Sequence, residues 1–447
     1  MRLLFVLLIG TLAASDIFQT GMSIGPGLSI KNAILYPLAL GLMFRMALTG
    51  RYRMKLPIVN LAFIVWTVYA VLTWIACFAI IKYPGYEPLP SFIELKSVLI
   101  DSALFFFTFF YGTEGEPDFL LMGKTLALAI GLANFLTLAD LAGVVHLGIT
   151  VGQSGVEADR VFGVFGHAND TGALIVCLLP LCVAVAVSSK GALKALWFIG
   201  ALASLAVLIL TISRSAYVGF VLGYAWAVWL CRRYLPTSRI VSWSLVGATC
   251  IVVAGGVAAM LIPSMTEVLM DRVFNQSMSA SLSVASSGRT TIWLGALSTM
   301  MAHPLTLLTG FGWRVYQTMF VLVTHNYYLD QWFGLGLIGV ICFLTILYQS
   351  VMTARAALAT ASPAARPYLM AFIFGILGLS ICLFFDNLDK PWSYVWVYVG
   401  FSLRFAADVT EEARKSAVAA PAAPRPAYSP NLSRRPAGRR VVGGVRR

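Results

Sequence analysis

Long apolar stretches separated by short polar segments make up most of the chain. Twelve of these stretches are long enough, as helices, to cross a hydrocarbon core of about 30 Å. Backbone groups in lipid must be hydrogen-bonded within the segment, so each stretch is predicted to be a helix. The pattern predicts an all-α, polytopic integral membrane protein with about 12 transmembrane helices. The predicted spans are 3–18, 30–48, 58–81, 95–111, 119–143, 172–188, 192–211, 215–231, 240–262, 326–348, 367–386 and 391–407.

The distribution of lysine and arginine predicts the orientation of these helices. With a cytoplasmic N-terminus, most basic connecting segments fall on the inner side, and the largest loop, 263–325, lies outside. The opening MRLLFVLLIGTLAAS also fits a signal peptide. An uncleaved first helix is favoured, because the eleven later spans alternate correctly with it. The predicted divisions are N-terminal helices over 1–150, a core over 151–348, C-terminal helices over 349–410 and a tail over 411–447.

Composition and charge support a membrane protein. Hydrophobic residues make up 59% of the 447 residues and charged residues only 11%, against about 25% charged in an average soluble domain. The tail is basic and rich in proline, alanine and glycine, and accounts for most of the net charge of +13. We expect it to be disordered, cytoplasmic and attracted to anionic membrane lipids, with no specific nucleic acid as partner. The seven cysteines show no CxxC spacing, which argues against a disulfide framework and a zinc site.

Polar side chains gather in four segments that this topology places outside. Arginine binds phosphate through paired, charge-assisted hydrogen bonds, and histidine accepts protons near neutral pH. The combination suggests chemistry on an anionic, membrane-borne substrate. A single arginine at a helix end is also typical of an anchor that reaches to the membrane surface. The external arginines and histidines are Arg160, Arg214, Arg272, Arg289, Arg314, His146, His167, His303 and His325.

The stretch THNYYLDQWFGLGLIG, residues 324–339, is unusual for the start of a membrane helix. It begins with His325 and Asn326 and carries Asp330 before it becomes apolar. Asp330 follows Asn326 by four residues, so it could brace that side chain along a helix. Gly336 and Gly339 predict close packing of this helix against a neighbour.

Four stretches in order carry a resemblance to a known family. They are RVFGVFGHANDTG from Arg160, ISRSAYVGFVLG around Arg214, SSGRTTIWLGALSTMMAHPLTLLTGFGW around Arg289, and the His325–Asn326 motif followed by Gly-x-x-Gly. Together, over roughly residues 155–345, they resemble the O-antigen ligase and O-antigen (exopolysaccharide) polymerase superfamily. Alanine precedes Asn169 where the family commonly has proline, and the segment from His303 to Gly310 is somewhat longer than usual.

The resemblance implies an enzyme that moves a glycan from undecaprenyl diphosphate to a hydroxyl group at the periplasmic face of the bacterial inner membrane. The acceptor is a lipid A–core sugar in ligases and another lipid-linked glycan in polymerases. It implies no cofactor and no metal. The Gly-x-x-Gly after His-Asn favours a ligase, and a polymerase stays open as the alternative. A lipid-linked oligosaccharide flippase or transporter is a further reading of twelve spans, although such proteins tend to carry charges deep in the membrane.

The resemblance also suggests roles for particular residues. Arg160, Arg214 and Arg289 are the candidates for binding the diphosphate. His325 is the candidate general base that takes the acceptor's proton, in a displacement that inverts the anomeric carbon. The supporting candidates are Asn326, His167, Asn169 and Asp330.

Overall fold

The computed structural model describes residues 1–18, 23–25, 27–49, 54–148, 160–262, 264, 267, 270–271, 286, 288–320, 323–388 and 391–419. These residues are mostly helical, with one antiparallel ribbon of β1 (Ser23–Gly25) and β2 (Leu28–Ser29). The helices are α1 (Arg2–Ile17), α2 (Ile30–Thr49), α3 (Pro57–Ile75), α4 (Pro88–Leu95), α5 (Asp101–Gly112), α6 (Gly115–Leu141), α7 (Ala168–Ser188), α8 (Gly191–Leu210), α9 (Arg214–Val218), α10 (Tyr224–Cys231), α11 (Thr237–Leu261), α12 (Arg289–Ala302), α13 (Thr306–Thr309), α14 (Val315–Phe320), α15 (Tyr327–Ala357), α16 (Arg366–Cys382) and α17 (Trp392–Ala419).

The prediction of a helical protein with several membrane-crossing helices is confirmed, whereas the count of twelve is not. Within the described residues, six helices are long and apolar enough to span a membrane. Two other predicted spans, 95–111 and 215–231, are helical but interrupted by π-helical turns, at Lys96–Ile100 and Gly219–Gly223. A π-helical turn inserts an extra residue and interrupts the regular helix. The six are Ile30–Thr49, Pro57–Ile81, Gly115–Leu141, Ala168–Ser188, Gly191–Leu210 and Tyr327–Ala357.

The predicted tail and the largest predicted loop are described only in part. α17 continues to Ala419, past the predicted start of the tail at residue 411. Residues 420–447 of the tail, and most of the predicted loop 263–325 before residue 288, lie outside the described residues. The described part of that loop includes the three short helices α12, α13 and α14.

Helix α7 is the centre of the half of the bundle that carries the candidate site. It is buried along almost its whole length and packs against α8 and α16. The approach to α16 is close, because a side chain at Gly375 would lie 2.0 Å from the carbonyl oxygen of Cys177. The π-helical turn Gly219–Gly223 after α9 packs on α16 in the same way, with Gly223 against Gly378. These contacts place the end of α16 beside Gly219, the residue directly after α9.

Helix α15 is broken at Gly336, where φ is 61° and ψ is −160°. The backbone N–H groups of Phe311 and Gly312 donate to the carbonyl oxygens of Phe333 and Gly334, each at 2.8 Å. A side chain at Gly336 would lie 2.2 Å from the carbonyl oxygen of Leu308. Gly336 therefore permits the chain after α13 to cross a break in α15, a different role from the helix packing that the sequence predicted.

Aromatic side chains hold the same crossing segment from its other side. The hydroxyls of Tyr69, Tyr83 and Tyr86 donate to carbonyl oxygens of Thr309, Phe311 and Trp313, at 2.6, 3.0 and 2.9 Å. Trp332 Nε1 donates to the carbonyl oxygen of Leu307 at 3.0 Å. The segment after α13 is thereby fixed against α3, against the chain that follows α3, and against the first turns of α15.

We expect Gly336→Ala to lower both the thermal unfolding temperature and any activity by a large amount. The added methyl group clashes with backbone atoms, and the positive φ disfavours any residue with a side chain. Gly247→Ala in α11 is the matched control, because a methyl group there has open space and alanine favours a helix. Thermal unfolding of both variants in detergent checks this, and equal melting temperatures would contradict it.

Candidate functional site

The first part of the candidate site is the turn between α8 and α9. Arg160 precedes a single bridge in which Val161 N–H donates to the carbonyl oxygen of Leu210 at 3.0 Å. The Arg160 guanidinium is buried, and its Nε donates to the carbonyl oxygen of Thr211 at 2.9 Å. Ser213 caps α9, which places Arg214 at the first helical position. The segment that begins at Arg160 is thus bonded to the turn that carries Arg214, although the two are distant in sequence.

Asn169, in the first turn of α7, joins these segments. Its Oδ1 accepts a hydrogen bond from Arg160 Nη2 at 2.6 Å and another from Ser213 Oγ at 2.9 Å. Gly172 permits the close approach, because a side chain there would lie 2.8 Å from the Ala216 methyl group. The amide oxygen of Asn169 therefore positions both a buried guanidinium and the cap of the helix that begins with Arg214.

Three arginines from separate segments come together at this end of the bundle. Burial lowers the pKa of Arg214, and the nearby positive charge of Arg160 lowers it further. Burial is also the main cause that lowers the pKa of Arg289, the first residue of α12. Asp386 opposes that shift, and Arg214 and Arg160 add to it. Clustered, partly buried positive charges repel one another, so the arrangement is suited to an anion that carries more than one negative charge.

His325 lies beside this cluster, just before α15. Its Nδ1 is 3.4 Å from Asp386 Oδ1, at the long end of hydrogen-bond distances. Asp386 is buried, and a third of the His325 side chain is exposed. A carboxylate next to Nδ1 favours the tautomer with the proton on that nitrogen. Nε2 is then left to accept a proton.

The turn after α16 holds the two members of this pair in place. Asn387 N–H donates to Asp386 Oδ1 at 3.0 Å, and the Asn387 side chain bonds Thr324 Oγ1 at 3.0 Å. Tyr327 N–H donates to the carbonyl oxygen of Leu383 at 2.9 Å. His325 itself has a positive φ of 48°, a conformation that is unusual for a residue other than glycine. Such backbone strain persists where neighbouring contacts enforce it, as they do here.

Residues 199–344 match the family model described as O-antigen ligase. The match covers about a third of the chain and confirms the resemblance to the O-antigen ligase superfamily. It supports an O-antigen ligase-like or polymerase-like membrane function. A search of curated proteins finds no match.

The O-antigen ligase segment contains Arg214, Arg289 and His325, whereas Arg160 and Asp386 lie outside it. The fold brings Arg160 and Asp386 into contact with the matched segment. Arg160 reaches it through Thr211, and Asp386 reaches it through His325. The sequence match and the spatial cluster therefore overlap without being identical.

Two of the supporting candidates, His167 and Asn326, cap helices. His167 caps α7 with Nδ1, which accepts from Asn169 N–H at 3.3 Å. Asn326 caps α15 with its side chain, which accepts from Leu329 N–H at 3.0 Å. Asp330 N–H donates to the backbone carbonyl oxygen of Asn326 at 2.9 Å, and the Asp330 side chain lines a separate cleft.

Asp386 belongs to the turn DNLDK, residues 386–390, and was not among the residues predicted for the site. Asp386 is at the end of an apolar span, in a turn that the predicted topology places on the same side as His325. That location was the feature of the sequence that could have indicated Asp386 as a site residue. The participation of Ser213 and Asn387 depends on contacts between segments distant in sequence, which no local pattern contains. Asp389 and Lys390 of the same turn lie outside the described residues.

Asn169 provides a test of how the buried arginine is positioned. Asn169→Ala leaves Arg160 Nη2 and Ser213 Oγ without their shared acceptor, so we expect a lower melting temperature and weaker donor binding. The lost bond between the Arg160 guanidinium and the Asn169 oxygen involves a charged group, and such a bond contributes about 1.5–3 kcal/mol. Asn169→Asp keeps an acceptor and adds a negative charge, so we expect it to fold normally and still bind an anionic donor less well. Normal donor binding by both variants would contradict this role.

Proposed function

We propose that this protein is a membrane glycosyltransferase of the O-antigen ligase type. It moves a glycan from undecaprenyl diphosphate to an acceptor hydroxyl at the periplasmic face of the bacterial inner membrane. The observation that carries the proposal is the convergence of Arg160, Arg214 and Arg289 beside the His325–Asp386 pair. The match of residues 199–344 to the O-antigen ligase family supports the same class of reaction.

In this proposal the three arginines bind the diphosphate and neutralise the charge that it gains as the leaving group. The C–O bond between the anomeric carbon and the diphosphate breaks while the acceptor oxygen bonds that carbon from the other face, which inverts it. His325 Nε2 takes the acceptor's proton, and Asp386 stabilises the imidazolium that forms. Asn169 and Asn326 position these groups through Arg160 and through the start of α15.

The proposal includes an arrangement in the membrane. The active site faces the periplasm, and the basic tail beyond α17 is cytoplasmic. Residues 1–150 and 349–410 form helical regions on either side of a ligase-like core over 151–348. Labelling of single cysteines placed at exposed positions such as His146 and Arg233, with a reagent that cannot cross the membrane, tests this. His146 is expected to react from outside and Arg233 only after permeabilisation.

The surface polysaccharide of a deletion strain separates the proposed ligase from the alternative polymerase. A ligase defect leaves complete repeat chains that are not attached to lipid A–core. A polymerase defect leaves single repeat units on the lipid carrier. Transport of a labelled lipid-linked oligosaccharide by proteoliposomes, without transfer of the glycan between molecules, would instead favour a flippase and contradict the enzyme.

A further inference from the structure

A narrow polar cleft opens beside the candidate site, between α4, α14, the first turns of α15 and the turn after α16. It encloses about 560 Å³ including its open mouth, and the part that admits water-sized groups is about 30 Å³. This inner part has room for one or two hydroxyl groups or water molecules. A larger molecule would therefore sit at the mouth and insert hydroxyls. Its polar lining includes Glu94, Arg314, Gln317, Asp330, Gln331 and Asn387.

The polar groups of the cleft are mixed in charge. Arg314 forms an ion pair with Glu94 across the cleft wall. Burial raises the pKa of Tyr316 to about 12, and the nearby negative charge of Asp330 contributes to that rise. The two carboxylates, of Glu94 and Asp330, and the single Arg314 do not favour binding of an anion. The site proposed for the diphosphate differs, because it contains three arginines. The chemistry fits a neutral, hydroxyl-rich molecule.

Two residues of the lining have buried polar atoms that are not satisfied within the described part of the chain. Trp313 is 6% exposed and its Nε1 donor has no acceptor there, and Gln317 Oε1 has no donor. Buried polar atoms generally have hydrogen-bond partners. A hydroxyl group can both accept and donate, so sugar hydroxyls satisfy both kinds of atom. Tyr316 and Tyr327 add aromatic surface to the lining.

The cleft and the His325–Asp386 pair share the same backbone. Asn387 lines the cleft, and its N–H donates to the Asp386 carboxylate that contacts His325. Tyr327 lines the cleft and lies two residues after His325. The cleft is therefore adjacent to the candidate base along the chain and through the Asn387–Asp386 hydrogen bond.

We propose that this cleft is the subsite for the acceptor sugar, with Asp330 and Gln317 binding its hydroxyls. The proposal rests on the proposed function, because it assigns the second substrate of the same transfer. It gives Asp330 a role in binding in place of the bracing of Asn326.

Steady-state transfer in proteoliposomes tests the subsite. Lipid A–core from the deletion strain is the acceptor probe, titrated at a fixed concentration of undecaprenyl-diphosphate-linked glycan, and the donor is then titrated at a fixed acceptor concentration. We expect Asp330→Asn and Gln317→Ala each to raise the KM for the acceptor about tenfold. The KM for the donor is expected to stay at the wild-type value.

Thr318→Ala is the matched control, because Thr318 belongs to the same short helix as Gln317 and does not line the cleft. Its acceptor KM should equal that of the wild type. Unchanged acceptor KM values in both cleft variants, with an active wild type, would overturn the subsite and leave the proposed function intact. A parallel rise in the donor KM would also overturn it, by making the cleft part of the donor site. A wild-type protein that transfers no glycan would overturn both proposals.

Discussion

Replacing His325 with glutamine is expected to lower glycan transfer by about 10²- to 10⁴-fold, the usual contribution of a general base. Glutamine keeps a polar side chain of similar length but cannot take a proton. The loss should therefore appear in kcat, while binding of the lipid-linked donor stays close to the wild-type value. Transfer by the purified variant in proteoliposomes, at saturating donor and acceptor, measures this.

His146→Gln is the matched control, because His146 is exposed and belongs to a different part of the described chain. It should transfer at the wild-type rate. Near-normal turnover by His325→Gln, with normal expression and melting temperature, would exclude His325 as the base.

Asp386→Asn extends this test to the partner of the histidine. Asparagine retains an oxygen near Nδ1 but does not stabilise a positive imidazolium, so we expect a smaller loss of kcat than in His325→Gln. We also expect the double variant to lose little more than His325→Gln alone, because residues that act as a unit have non-additive effects. Losses that multiply in the double variant would show that the two side chains act separately.

How much of this site was predictable depends on the range of the interactions that form it. Arg214 and Arg289 each begin a helix directly after a turn, and such boundaries are encoded locally. His325 could be recognised from its position at the mouth of an apolar stretch. The assembly of these residues with Arg160 depends on Asn169, whose partners lie 9 and 44 residues away in sequence. A local pattern carries no information on such pairings.

The helices were predicted better than their interruptions. Apolar length predicted the membrane-crossing helices such as α7 and α8, because the requirement for internal hydrogen bonds acts on each segment alone. The break at Gly336 looks from the sequence like one of several small residues in an apolar helix. Only the contact with Leu308 and Gly310, from a segment about 26 residues earlier in the chain, requires its positive φ. The same limitation applies to Gly219–Gly223, whose π-helical turn packs against α16.

The second large effect is expected from Arg214→Gln and Arg289→Gln, which should each weaken binding of undecaprenyl diphosphate. A hydrogen bond to a charged group contributes about 1.5–3 kcal/mol, and each 1.4 kcal/mol changes an equilibrium constant tenfold. We therefore expect a Kd about 10- to 100-fold higher. Binding of undecaprenol, which has no phosphate, should not change. Arg233→Gln, in the exposed turn after α10, is the matched control. Unchanged binding of the diphosphate by both variants would exclude the arginine cluster as its site.

The stability of the same variants without donor distinguishes a binding cluster from a structural one. The lowered pKa of Arg289 means that the folded protein disfavours the positive charge relative to water, chiefly through burial. Removing that charge in Arg289→Gln should leave the melting temperature unchanged or raise it. Arg160→Gln should lower it, because the Arg160 guanidinium is bonded to Thr211 and Asn169 in the interior. A large loss of stability in Arg289→Gln would mean that its charge is already neutralised within the protein, and an anion would then gain little by binding there.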